Sequence, residues 1–128
     1  MFDDAETAYL RSQFLGRLAT RRPNGTLQNS PVGFRLNDDG TIDIGGHRLG
    51  HSAKWRNILD NGEVAFVVDD LASTRPWRPR GVEVRGKAEA LEGQQPVMAG
   101  MSSQLIRIHP RWVFSWGLGH GGGPRRLS

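Results

Sequence analysis

The spacing of apolar positions along the chain changes once, early, and then keeps its new period. Between Phe2 and Phe14, residues Phe2, Ala5, Tyr9 and Leu10 contribute to one face at helical spacing, which predicts a first helix. Asp3 can cap it, Glu6 stands three residues on in a capping-box arrangement, and Gly16 reads as its end. From there the pattern is that of strands. Arg17–Thr20, Leu27–Leu36 and Thr41–Ile44 are separated by the turns Pro23-Asn24-Gly25 and Asn37-Asp38-Asp39-Gly40. Val64–Val68 is apolar on both faces and predicts a central strand. Gly81–Leu91 alternates, with Val82, Val84, Ala88 and Ala90 on one side and a bulge expected at Gly86. Leu105–Ile108 and Trp112–Trp116 read as a strand interrupted at Pro110. Pro76 and Pro79 predict a loop over Asp69–Arg80. Residues 93–103 are too small and polar to predict an element.

About six short strands joined mostly by tight turns, with one helix before them and one after the third, predict a mainly β, antiparallel barrel. A barrel of this size is filled by its own side chains. A large ligand must then lie outside it, in a groove against the wall and most simply at a subunit interface.

The inserted helix carries the strongest chemical signal. Gly45, Gly46, His47 and Gly50 lead into Ser52, a good N-cap, and Trp55, Ile58 and Leu59 then form an apolar stripe. Lys54 and Asn57 share a face away from that stripe, and Gly62 reads as a positive-φ stop. Free N–H groups, a hydroxyl and an ammonium at one helix tip are the makings of a phosphate site.

Length, charge and residue types narrow the choice. The 128 residues predict one domain over 1–118 followed by a flexible Gly/Arg tail over 119–128. Without cysteine there are neither disulfides nor thiolate metal sites. The acidic start has no signal pattern and no run approaches a membrane span, so a soluble, cytoplasmic protein with no membrane partner is expected. The net charge of +4 comes from arginine, with lysine only at Lys54 and Lys87. It is scattered through strands and turns, which points to a small anionic ligand and not to nucleic acid. His47 and His51 lack a third ligand at metal spacing, and neither a P-loop nor a nucleophile elbow is present. Trp77 and Arg80 could offer a flat wall and a planar donor to a heteroaromatic ligand.

The ordered set Gly16-Arg-Leu-Ala-Thr20, Asn29-Ser-Pro-Val-Gly-Phe34, Ile44-Gly-Gly-His47, Ser52-Ala-Lys-Trp-Arg-Asn57, Val67–Leu71 with Pro76–Gly81, Val84-Arg-Gly86, Ile106–Pro110 and Ser115-Trp-Gly117 spans nearly the whole chain. It resembles the pyridoxamine 5'-phosphate oxidase-like split β-barrel family, specifically its small actinobacterial branch dependent on the deazaflavin coenzyme F420. The resemblance implies a six-stranded antiparallel split barrel of the FMN-binding type, assembled as a homodimer with two cofactor grooves lined by both subunits. By position, Ser52, Lys54 and Asn57 would hold the cofactor phosphate, with Ala53 beside them in the cofactor-binding set. Asn29, Ser30, Pro31 and Val32 would run beside the ring, and Gly45, Gly46 and His47 would flank it. Trp77 and Arg80 of the partner would close the groove. His51-Ser52 is a loose match where flavin-binding members often present more basic residues, and the segment from Leu91 to Leu105 is short.

The resemblance implies hydride transfer between reduced coenzyme F420 and a small conjugated acceptor such as a quinone-like, tetrapyrrole or enone compound. His47 and Arg80 are the candidate proton donors. The competing readings are an FMN-binding flavoprotein oxidoreductase of the same fold and a non-enzymatic cofactor carrier.

Overall fold

A computed structural model describes residues 1–119 and 123–127. The first helix, α1 (Asp4–Arg11), starts at the expected capping box: Asp3 accepts from the Glu6 amide at 2.8 Å and Glu6 accepts from the Asp3 amide at 3.0 Å. It is shorter than its apolar pattern. Ser12, not Gly16, ends it, and Gly16 lies inside β1 (Leu15–Arg21), where a Cβ would come within 2.4 Å of the Phe66 ring.

Strands β2 (Leu27–Leu36) and β3 (Ile42–Gly45) follow, then a single 3-10 turn at Leu49–His51 and helix α2 (Ala53–Asp60). Strands β4 (Glu63–Thr74), β5 (Trp77–Leu91) and β6 (Leu105–Trp116) complete the sheet, with a two-residue β7 (Arg125–Arg126) at its margin. The order is β3-β2-β1-β4-β5-β6-β7, every pairing antiparallel, and a β3–β6 ladder closes six strands into a barrel. Inward residues such as Leu18, Ile42, Ile44, Phe66, Val82 and Ile106 fill it.

Three departures from the expected elements have physical causes. Asp69–Arg80 is not a loop: β4 and β5 continue as a hairpin to a two-residue turn at Arg75–Pro76. Pro79 is tolerated because β5 before Gly81 is paired on one side only. Pro110 does not break β6, because the register skips Arg111 beside it, and the ladder resumes at Trp112 opposite Arg85. Gly86 sits at that irregularity as expected, and a Cβ there would meet the His109 carbonyl at 2.2 Å.

The third departure is at the end of the chain. Residues 119–128 read as a flexible tail; 120–122 and 128 lie outside the described residues, while Arg125 and Arg126 pair with Val113 and Trp112. Arg125 is ion-paired with the fully buried Glu6, which also accepts from Ser115 Oγ at 2.6 Å. Burial alone would raise the Glu6 carboxyl, but its bonds from Arg125, Ser115 and the Asp3 amide hold it below its ordinary value. Among the described residues no helix is long and apolar enough to cross a membrane.

Candidate functional site

Helix α2 begins as its sequence predicts. Ser52 Oγ accepts from the Trp55 amide at 3.2 Å and donates to the Leu49 carbonyl at 2.6 Å. The hydroxyl proton is therefore spent on the chain itself. Trp55 and Ile58 are buried, whereas Leu59 is 66% exposed and lies off the stripe. Its inward place is taken by Asn57, only 4% exposed, whose Nδ2 donates to Thr20 Oγ1 at 3.0 Å and to Gln28 Oε1 at 3.2 Å. Asn57 thus does not share a solvent face with Lys54. It pins α2 onto β1 and β2. Nor does Gly62 stop the helix with a positive φ: Asn61 is the C-cap, with φ −151°. Gly62 is required by a close approach, since a Cβ would meet the Ala88 carbonyl at 2.5 Å.

What remains at the α2 tip is a donor set. The amides of Ala53 and Lys54 have no acceptor from the helix itself. The first turn contains no acidic residue, and among the described residues neither Lys54 nor Arg56 is in an ion pair. Arg56 donates to the His51 carbonyl at 3.2 Å. This unneutralised cationic tip fits an anionic group such as a phosphate.

Alternation along β2 divides the run beside it. Asn29 and Pro31 are exposed on the outer wall, whereas Val32 is 5% exposed and in the core. Ser30 is half-buried, and its Oγ is a buried oxygen without a partner among the described residues. Gly45 pairs with Gly33 across the β2–β3 ladder. The Gly46 carbonyl accepts from the Ser102 amide at 3.0 Å, and exposed His47 presents Nδ1 to the Gly100 carbonyl at 3.0 Å. Because a carbonyl only accepts, that bond places the His47 proton on Nδ1 and leaves Nε2 without a hydrogen-bond partner among the described residues. Gly50 donates to Gln104 Oε1 at 3.0 Å, tying the approach to α2 to the segment before β6. Gln104, Gly100 and Ser102 carried no periodic signal in the sequence.

Trp77 and Arg80 are not brought to this tip by the same chain. Trp77 is 69% exposed at the start of β5. Arg80 grips Asp70 through two bonds of 2.7 and 3.0 Å and lies 5.1 Å from the Tyr9 ring centroid, on the α1 side. The Asp70 carboxylate raises the Arg80 guanidinium above its ordinary value, so Arg80 stays charged. Thr20, bonded by α2, pairs with Val64, and Arg80 pairs with Asp70. The six residue steps along β4 from Val64 to Asp70 correspond to about 20 Å.

A closed six-stranded antiparallel barrel with helices at its ends and a cationic helix tip outside its wall is a split-barrel protein. The profile of the pyridoxamine 5'-phosphate oxidase family matches residues 2–127, and the chain belongs to that family, whose cofactors are of the flavin type. It is 42% identical over 119 residues to the 5a,11a-dehydrotetracycline/5a,11a-dehydrooxytetracycline reductase of Streptomyces rimosus subsp. rimosus, covering 91% of this chain and 84% of that one. Among solved structures it resembles a conserved hypothetical protein of Mycobacterium tuberculosis, with a TM-score of 0.71, 23% identity, and 93% and 87% of the two chains covered. An FAD binding protein of Mycobacterium smegmatis superposes with a TM-score of 0.68 at 19% identity over 99% and 98%. These two show the shared fold; the family and the reductase relative place the chain among oxidoreductases.

Proposed function

We propose that the protein is a coenzyme F420-dependent reductase that passes a hydride to a small conjugated acceptor, acting as a homodimer with a cofactor groove at each seam. The observation that supports this most is the 42% identity to a reductase whose name specifies a dehydro compound, hence a carbon–carbon unsaturation in its substrate. A planar enone is the acceptor class this favours.

When bound, the deazaflavin supplies the hydride. The chain's residues bind and orient. Lys54 Nζ and the amides of Ala53 and Lys54 would hold the anionic tail, with Ser52 fixing the helix start and Asn57 fixing the helix to the barrel. Asn29 and Pro31 present the outer wall along which a ring can lie. Arg80, held charged by Asp70, acts as a fixed donor and not as a proton source. His47 Nε2 is the ring atom turned away from the Gly100 carbonyl, and it is the candidate to face the acceptor. Since Trp77 and Arg80 lie at the other end of their own barrel, a second copy of the chain is the source that can bring them to the tip.

Fluorescence-quenching titrations with the deazaflavin and with FMN, followed by turnover on a planar enone, test this reading. Tight deazaflavin binding with enone reduction is the expected result. Weak binding of both cofactors would overturn it. Tight FMN binding alone would replace it with the flavoprotein reading, and tight binding without turnover on a broad acceptor panel would replace it with a carrier.

A further inference from the structure

Opposite each other in the β2–β3 ladder stand two glycines, Gly33 and Gly45, and the space their missing side chains leave is filled from one segment. A Cβ at Gly45 would lie 2.8 Å from Met101 Sδ and 2.8 Å from Val97 Cβ. At Gly33 it would lie 3.2 Å from Met98 Cε and 3.4 Å from Met101 Cε. Residues 93–103, for which the sequence predicts no element, therefore form a strap across a bare glycine floor on the outer wall.

The strap is fastened at its rim. Arg35, held at 2.8 Å by the buried Asp43 carboxylate, donates to the Pro96 carbonyl at 3.2 Å. At the other end the anchors are Gly46 and His47, and beyond the strap Gln104 holds the Gly50 amide two residues before Ser52. Between these anchors Gln95, Pro96, Met98, Ala99 and Gly100 are exposed, and Gly93 and Gly100 take φ of +67° and +86°. So little burial gives the strap a low cost of local rearrangement. Its inward side chains are mostly methionine, unbranched and polarizable, which repack around differently shaped apolar partners.

We infer that Val97, Met98 and Met101, lying over the Gly33–Gly45 floor, form the yielding apolar wall of the acceptor site and set which flat conjugated molecules fit it. The inference rests on the reductase reading above and assigns its substrate-selecting side chains. The glycine pair seats these three side chains close against the sheet, and a planar ring system lies on their outer face. The two thioethers adjust to its width, while the fixed bonds at Arg35, Gly46 and His47 keep the wall in register with the helix tip.

Two measurements test it. The first compares Met98→Ala, Met101→Ala and Gly45→Ala with the parent protein on planar acceptors of one, two and four fused rings. The methionine variants are expected to raise KM for the narrowest acceptor at least tenfold, leave the widest within about twofold, and leave kcat and the deazaflavin dissociation constant nearly unchanged. Gly45→Ala, with its added methyl on the floor, is expected to penalise the widest acceptor most. Normal cofactor binding and turnover with an unchanged order of acceptor preference in all three variants would overturn the inference while sparing the reductase reading; loss of deazaflavin binding by the parent protein would remove that reading itself. The second measurement needs no turnover. The chain has three methionines, and exposed Met1 serves as the internal reference for peroxide oxidation followed by mass spectrometry. A saturating four-ring acceptor is expected to slow oxidation of Met98 and Met101 at least fivefold relative to Met1. Equal rates with and without the acceptor would also overturn the inference.

Discussion

Asn57 on α2 donates to Thr20 on β1 at 3.0 Å, both residues buried, so that the helix bearing the cationic tip is fastened to the barrel by a side-chain amide and not by apolar packing alone. The tip's orientation toward the outer wall depends on this bond and on its companion to Gln28.

Replacing Asn57 by alanine leaves the Thr20 hydroxyl without that donor inside the barrel end. The expected loss of stability is about 1–3 kcal/mol, the cost of an unsatisfied buried polar group plus the lost bond. Urea denaturation of the variant checks this. A midpoint unchanged from the parent would show that the amide contributes nothing to the attachment of α2.

Lys54 gives the opposite pattern. It is half-buried at the tip and in no ion pair among the described residues, so Lys54→Ala should leave the denaturation midpoint almost where it was. Cofactor affinity should fall by about 1.5–3 kcal/mol, roughly ten- to a hundredfold, through loss of a charge-assisted contact. An unaltered dissociation constant would remove Lys54 from the site.

The Arg125–Glu6 pair predicts that the end of the chain is structural. Arg125→Ala leaves a fully buried carboxylate supported, among the described residues, by Ser115 and the Asp3 amide. The expected destabilisation is about 3 kcal/mol, the low end for breaking a buried pair, because a third of the Arg125 side chain remains in water. Truncation after residue 119 should match it in a thermal melt. If truncation leaves the melting temperature unchanged, the ion pair contributes no net stability.

Acid should unfold the protein through the same kind of group. Burial alone would raise both Glu6 and Asp43, but Arg125 on the one, and Arg107 and Arg35 on the other, hold both carboxyls below their ordinary values of 4.5 and 3.8. A depressed folded value means that the unfolded chain binds protons first as pH falls. The stabilisation is complete above those ordinary values and is lost as pH drops through them toward the folded ones. Denaturation midpoints taken from neutral pH to about pH 3 should decline steeply below about pH 5. The Arg125→Ala variant should show a shallower decline, since its Glu6 no longer has the guanidinium that lowers it.

Local signals carried much of this molecule. The capping box at Asp3 and Glu6, the Ser52 cap, the extent of β2 and the central position of β4 follow from neighbours within a few residues, whose chemistry is the same wherever the chain goes. Prolines misled where pairing decides their cost. Pro79 and Pro110 sit in strands because one lies on a half-paired stretch and the other beside a skipped residue, and neither fact is visible before the ladders are known. Asn57 misled in the same way: helical spacing places it off the apolar stripe, but a buried threonine on β1 gave its amide a partner inside.

By itself, then, the sequence determined the barrel's strands, its family and the charge and hydrogen-bonding character of one helix tip, because these rest on residue type and short-range spacing. Tertiary structure decided what lies against what: that Glu6 in the first helix needs Arg125 near the end, that an aperiodic strap covers two facing glycines, and that Arg80 and Lys54 sit at opposite ends of one barrel. Contacts of that kind join residues distant in the chain, and their energy depends on burial and partners that no local pattern records.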